Sequence, residues 1–294
     1  MMTVAVQMLL MPLVAFLVGL VLVLFMRRLR ARIERRVGPP LLQPVYDIVK
    51  LYGKRSQISH GPMHEISIMM VVGGVIAVVL FLPVPGMQGL AAHGDLITLV
   101  YLLMVPSLGL ALGVGQCANP NGSIGISRAL TAMVGYDIPL MLVVAGVAIA
   151  YGTTSLPQIL AMQGGTWGVF QMPLLALAML IATYGMLAKE PFEIYTAPAE
   201  IATGPMVEMG GKFMGALFVM QCFQIYTAGA LFTVLFLGGG ASWPGFLLKV
   251  FAVAAIPLTL TNLFPRYRAE RVLHWMWKWP TGIALLGLAL IMLR

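Results

Sequence analysis

RRVGPPLLQPVYDIVKLYGKR, residues 35–55, is an Arg-rich stretch set between hydrophobic segments long enough to cross a bilayer. Its reading decides the fold class, because a basic, proline-punctuated segment in an otherwise oily chain marks the aqueous face of a membrane protein. Leu41, Val45, Ile48 and Tyr52 recur at spacings of three and four, opposite Gln43, Asp47, Lys50 and Lys54. A stretch this short and this charged does not span, so it is expected to lie along the membrane surface as an amphipathic helix. Pro39, Pro40 and Pro44 suit a stiff entry and a first helical turn, where proline's missing donor would find no partner anyway.

The rest of the chain supports that class. Hydrophobic residues make up 60% of the 294 and charged residues 10%, beyond the roughly 45–50% apolar share of soluble proteins. With about 20 apolar residues per crossing as the ruler, eight transmembrane helices are expected near 4–26, 66–83, 96–115, 130–150, 171–188, 212–237, 245–264 and 275–293. The first has no basic segment before it and no small-residue cleavage site after it, so it reads as a membrane helix rather than a removable signal.

Charge is one-sided. The segment 27–65 holds nine Lys/Arg, 116–129 holds Arg128, 189–211 holds Lys189, and 265–274 holds Arg266, Arg268 and Arg271, whereas 84–95, 151–170 and 238–244 hold none. That asymmetry places the basic loops in the cytoplasm and both termini outside, in the cell's inner (cytoplasmic) membrane. The formal charge of +8 therefore reports topology, not a nucleic-acid face. PVPG at 83–86, NPNG at 119–122 and LGGGASWPG at 237–245 mark the turns. Residues 1–294 thus read as a single all-α transmembrane domain. Residues 27–65 form a basic cytoplasmic loop carrying the amphipathic helix, and 189–211 an acidic loop on the same side.

The chemistry-bearing residues are few. Asp137 lies nine residues beyond Arg128, about 13 Å along a helix, where a carboxylate needs a protein or water environment. Glu190, Glu193, Glu200 and Glu208 place four of the chain's ten acids in one short run. Glu193 and Glu200 would share a face if the region were helical. Pro191, Pro198 and Pro205, seven apart, argue instead for short broken helices of the kind that line cavities. Cys117 and Cys222 are the only cysteines, too few for an iron–sulfur cluster in this chain. His60 and His64 are four apart, but Gly61-Pro62 breaks the helix and no third ligand follows, so no metal site is expected. Phosphate-loop and dinucleotide motifs are absent, as is a nucleophile–base pairing.

Four segments together carry a resemblance. GPPLLQPVYDIVKL at 38–51 resembles the loop and surface helix after the first span of the subunit-1 (H-type) family of respiratory complex I and its relatives, the membrane-bound energy-converting nickel–iron (NiFe) hydrogenases and formate hydrogenlyases. RALTAMVGYDIPL at 128–140 resembles RAxxQxxSYExPL; PFEIYTAPAEIATGPMVEMGG at 191–211 resembles PFDxPExxxELxxGxxxEYSG; FPRYRAERVLHWMWKWP at 264–280 resembles the closing PRxRxDQLMxxxWKxxLP. GPPLLQP resembles the hydrogenase-type pattern and lacks the GPNxVG of complex I. The resemblance implies a non-catalytic membrane anchor that couples peripheral electron transfer to ion movement.

By the same resemblance, Asp137, Glu193, Glu200 and Glu208 belong to a proton route. Arg36, Asp47, Lys50, Arg128, Arg266 and Arg268 would face the peripheral arm. The implied partners are iron–sulfur and NiFe-type subunits on the cytoplasmic side and antiporter-like subunits in the membrane, with the metal centres in those partners. Two alternatives stand: a quinone-binding subunit of a complex I-type oxidoreductase, and an independent ion or solute transporter. Thr196 and Pro198 occupy positions where complex I members carry Glu, and Met209-Gly210 replaces Tyr-Ser, which thins the acidic chain.

Overall fold

A computed structural model of the chain describes residues 4–56, 62–91, 95–116 and 119–293; His60 and Cys117 lie outside these. Twelve α-helices and one 3-10 turn are formed among the described residues. Seven of them are long and apolar enough to cross a membrane: α1 (Val4–Ile33), α3 (Met63–Phe81), α4 (Leu96–Val114), α5 (Pro120–Tyr151), α10 (Lys212–Phe236), α11 (Trp243–Leu260) and α12 (Ala269–Met292). The crossing expected at 171–188 is the shorter α8 (Pro173–Met186), whose 14 residues extend about 21 Å against the roughly 30 Å of hydrocarbon. Pro173 opens it, and Ala188 at φ 47° followed by Pro191 ends it.

α5 corrects one boundary. The expected span began at 130, with 116–129 a loop, but the helix starts at Pro120. Asn119 accepts a hydrogen bond from the Asn121 amide at 3.0 Å and Pro120 takes the first helical position, so NPNG is a helix start rather than a turn. Arg128 consequently projects from helix, not from a loop.

Apolar side chains gain little by leaving lipid for one another, so close packing has to hold the helices together. α10 is the hub: 78% of its apolar stretch is buried, against 28% for α1 and 22% for α12, and it touches α1, α2 (Gln43–Tyr52), α3, α8 and α11. A Cβ on Gly19 of α1 would lie 2.2 Å from the Cys222 carbonyl oxygen of α10, so only glycine permits that approach. At the α3–α4 crossing, Ser67 Oγ donates to the Gly109 carbonyl at 2.7 Å, and a Cβ on Gly113 would sit 2.2 Å from that hydroxyl. The pair Gly109 and Gly113, four apart, is the small-residue seam that lets backbones meet in lipid.

The expected surface helix is α2 (Gln43–Tyr52). Its orientation differs from the simple two-face picture. Asp47 and Gln43 turn toward α1, where Arg27 Nη1 donates to Asp47 at 2.5 Å and Gln43 Nε2 at 2.8 Å. Leu42, Val45, Tyr46 and Val49 are left facing outward. Buried polar groups need partners more than apolar ones need cover when lipid itself can cover them.

The basic segments gather at one end of the bundle: Arg30 reaches Glu190, Arg128 reaches Glu200, and the Lys212 amide donates to Ser56. At the other end, the Gly89 amide donates to Gln7, and Gln163 accepts from the Gly238 amide at 2.7 Å. Gly19→Ala should cost about 1–3 kcal/mol through overpacking, whereas Gly73→Ala, which meets nothing within 4 Å, should leave stability unchanged. Thermal denaturation followed by size-exclusion chromatography in detergent checks the difference.

Candidate functional site

After α8 the backbone abandons helical geometry until α9 (Pro198–Ile201) and the 3-10 turn Gly204–Val207. Prolines 191, 198 and 205 remove donors and fix φ, so no continuous helix can form. The segment is pinned from two sides. Tyr184 of α8 donates its hydroxyl to the Glu190 carbonyl, and the Tyr267 amide donates to the Pro191 carbonyl at 2.9 Å. Phe192 is buried between them, its ring 5.2 Å from that of Tyr184 and 5.3 Å from that of Trp275.

This anchoring sets Glu190 and Glu193 side by side. Arg266 Nη2 donates to Glu193 at 3.0 Å and lies 4.0 Å from Glu190; Arg30 approaches Glu190 at 4.0 Å; Thr196 Oγ1 donates to Glu193 at 2.5 Å. Burial, then the neighbouring Glu193 charge, pushes Glu190 above the usual carboxylate range. Burial acts on Glu193 in the same sense. There it is overridden by hydrogen bonds from Thr196, Glu190 and Arg266 and by the charge of Lys189, which hold Glu193 below that range. Adjacent carboxylates resist double ionisation, and here the cost falls on Glu190, whose protonation is favoured over that of Glu193.

Lys189 borders the same cluster. Burial lowers its ammonium, while Glu193 and Glu190 oppose that fall. Tyr195, two residues beyond Glu193, is pushed up to about 12 by burial and then by the Glu193 charge.

From this cluster a series of small cavities runs into the bundle. The first, about 90 Å³, is bordered by Lys189, Glu193, Tyr195, Gln221 and Gln224 together with apolar side chains. A second of about 50 Å³ shares Tyr195 and Gln224, and a third of about 20 Å³ is reached by Ser107, Tyr136, Gln224 and Thr227. Each is large enough for water. Thr227 Oγ1 is buried without a hydrogen-bond partner in the third, as expected where a water completes the bonding. Thr227 lies fifteen residues into α10, so this polar seam penetrates about 22 Å from the helix start.

The expected residues are placed unequally. Asp137 is 7% exposed on α5 and has no hydrogen bond or ion pair among the described residues; its neighbour Tyr136, not Asp137, borders the cavities. Glu200 pairs with Arg128 at 2.6 Å but is 53% exposed. It does not share a face with Glu193, since the prolines between them break the helix that would align them. Glu208 is half-buried, its Cγ within 3.9 Å of where a Cβ on Gly122 would lie. Arg36 is 77% exposed and reaches Glu34 at 3.6 Å; Lys50 and Arg268 are exposed.

Asp47 is held below the usual range: burial opposes ionisation, but bonds from Arg27 and Gln43 and the charges of Arg27 and Lys50 prevail. Glu190, named in the acidic run but left out of the implied proton route, belongs to the cluster, and Lys189, Arg27, Arg30 and Thr196 are the participants the sequence did not assign to it. The available signal was Arg27 and Arg30, three apart on one face of α1. No group of three or more potential metal ligands forms among the described residues, where His64 packs edge-on against Phe213 at 4.9 Å. With two cysteines, the chain does not fit an iron–sulfur centre of its own.

A bundle of membrane-crossing helices with a paired carboxyl cluster at its basic end, opening onto polar cavities, defines an integral-membrane subunit built around buried charge. The family model described as NADH dehydrogenase matches residues 5–292, and the chain belongs to that family, the H-type subunit of respiratory complexes. Among its relatives, the H-type subunit of NADH-quinone oxidoreductase from Geobacillus kaustophilus is 29% identical over 90% of this chain and 85% of its own length. The corresponding subunit from Anoxybacillus flavithermus is 30% identical over 89% and 85%. A chain in the structure of the membrane-bound sulfane sulfur reductase, an archaeal respiratory membrane complex, superposes with a TM-score of 0.93 at 38% identity, covering 98% of this chain and 99% of that one.

Replacing Arg266 with Gln removes the donor that favours ionised Glu193. The protonation midpoint of Glu193 should then rise by about one pH unit or more, visible as a shifted carboxyl band in infrared titration. In the wild type, the stability Glu193 contributes is present above its ordinary value of 4.5 and is lost as pH falls below it. The variant should lose that acid-side dependence.

Proposed function

We propose that this chain is the membrane anchor and proton-coupling subunit of a multi-subunit, redox-driven ion pump, of the energy-converting hydrogenase type, whose catalytic centres lie in peripheral subunits docked on the basic end. The observation that carries the reading is the adjacent Glu190–Glu193 pair, braced by Arg266 and Arg30, at the mouth of cavities that enter the bundle. An electron arriving in a docked centre adds negative charge nearby. At about 10 Å and an effective dielectric of about 20, one charge is worth about 1.7 kcal/mol, enough to move a carboxyl midpoint by about one pH unit. The pair then takes up or gives off a proton, Lys189 and the polar seam carry it inward as far as Tyr136, and Asp137, the next residue but outside the cavities, would take it on, with the Glu200–Arg128 surface, toward antiporter-like neighbours in the membrane. The basic end faces the cytoplasm of a cell whose inner membrane holds the complex and, with the short α8 counted as an eighth crossing, both termini lie outside.

The GPPLLQP segment supports the hydrogenase-type branch, and the 38% relative supports a respiratory complex whose acceptor is set by its peripheral subunits. A quinone site is the second reading, favoured by the names of the bacterial relatives. Against it, the cavity beside Glu193 measures about 90 Å³, below the roughly 300–1,000 Å³ of organic ligand pockets.

Purification of the complex should bring iron–sulfur and NiFe-type subunits with this chain; isolation as a solitary, transporting protein would overturn the assignment. Hydrogen evolution, sulfane sulfur reduction and quinone reduction by the purified complex separate the branches. In proteoliposomes, Glu193→Gln and Asp137→Asn should keep assembly and peripheral turnover while proton uptake falls at least about tenfold. Undiminished pumping in both would refute the coupling role.

A further inference from the structure

On the bundle's basic end, Arg27, Arg30, Arg128, Arg266 and Lys212 each meet a carboxylate of this chain. Other exposed cations there, such as Arg28, Arg32, Lys50 and Arg268, form no ion pair among the described residues. What sets the first turns of α12 apart is that their cations stand beside exposed tryptophans on a membrane-crossing helix. Arg271, His274 and Lys278 are exposed, and none forms an ion pair among the described residues. Arg271 lies over the Tyr267 ring at 5.4 Å and Lys278 over the Trp279 ring at 5.5 Å.

Their spacings of three and four put all three on one stripe of the helix. That stripe is opposite the packed face carried by Val272, Met276, Pro280, Ala284 and Gly287. Farther along α12 the outward residues are purely apolar, with Leu285 50% and Leu286 63% exposed. Trp277 and Trp279, 45% and 52% exposed, flank the basic stripe as aromatic residues do at headgroup level. Glu270 leaves the helix about 100° round from Arg271 but, four residues before His274, lies on the His274 side of the stripe, so the two full cations Arg271 and Lys278 carry the site's charge.

Lys278 lies about 10 Å along the helix from Arg271, a distance its long side chain can shorten by reaching back toward Arg271 and His274. A free cation pair there calls for a counter-charge that sits at the membrane surface and carries acyl chains down the Leu285–Leu286 face.

We propose that Arg271, His274 and Lys278, framed by Trp277 and Trp279, bind the headgroup of an anionic phospholipid from the leaflet on the basic side. The site is separate from the Glu190–Glu193 cluster and stands whether or not that cluster moves protons. Removing each full cation should cost about fivefold in preference for anionic over neutral lipid.

The test uses the intact complex in nanodiscs of phosphatidylcholine with or without phosphatidylglycerol, read by native mass spectrometry. Wild type should retain phosphatidylglycerol in preference to phosphatidylcholine; Arg271→Gln with Lys278→Gln should reduce that preference by an order of magnitude or more, and Arg271→Lys with Lys278→Arg should restore it. Equal retention by wild type and the Gln variant overturns the proposal. Should the Gln variant not assemble, Trp279→p-benzoylphenylalanine in the otherwise native complex decides the matter on illumination. A phospholipid adduct supports the site, and an adduct to a partner subunit's polypeptide overturns it.

Discussion

Burying charge is the constraint on which this structure depends. In a chain this apolar, every ionised side chain away from water must find a counter-charge, a hydrogen bond or a proton. Glu193 finds the first two in Arg266 and Thr196. Glu190 is left with two arginine contacts at 4.0 Å and a carboxyl neighbour, and is pushed toward the third. The geometry that enforces this inequality comes from Phe192. Its burial between Tyr184, Tyr267 and Trp275 fixes the backbone on either side and leaves the two carboxyl groups no room to separate.

The same constraint explains why the acidic segment is irregular. A regular helix satisfies its own backbone and would need no help from neighbours. The stretch from Lys189 to Ala197 instead sends its polar groups outward, to Tyr184 and to the Tyr267 amide. Such backbone is stable near a membrane only where protein encloses it, and here the end of α8, the start of α12 and Arg30 of α1 supply the enclosure. α8 is short because it must stop early enough to let this segment form.

The fold class and seven of the crossings were legible because hydrophobic length and proline or glycine punctuation act locally. α8 was also marked by its apolar run, although its shortness was not, since that depends on tertiary bonds to Glu190 and Pro191. NPNG looks like a turn; the Asn119 cap that makes it a helix start competes with turn geometry using the same residue types. Glu193 was marked by its place in a recognisable motif, whereas the partners that set its chemistry, Arg266 and Arg30, lie far away in sequence and were visible only as basic residues near membrane boundaries. Periodicity ranks faces by polarity and so points Asp47 at solvent. It turns inward because Arg27 is waiting there, a fact no helical wheel contains.

Lys189 completes the electrostatic picture. Burial alone would make both Lys189 and Glu190 neutral, and attraction between ammonium and carboxylates works the other way. Both effects act on residues beside the Glu193–Arg266 pair, and Lys189 also borders the first cavity. Arg30 touches Glu190 at one end and Glu34 at the other, and Glu34 in turn meets the exposed Arg36. Side chains already in contact therefore run from the surface loop to the carboxyl pair, and a charge added outside has a short path of polarisable groups along which to act.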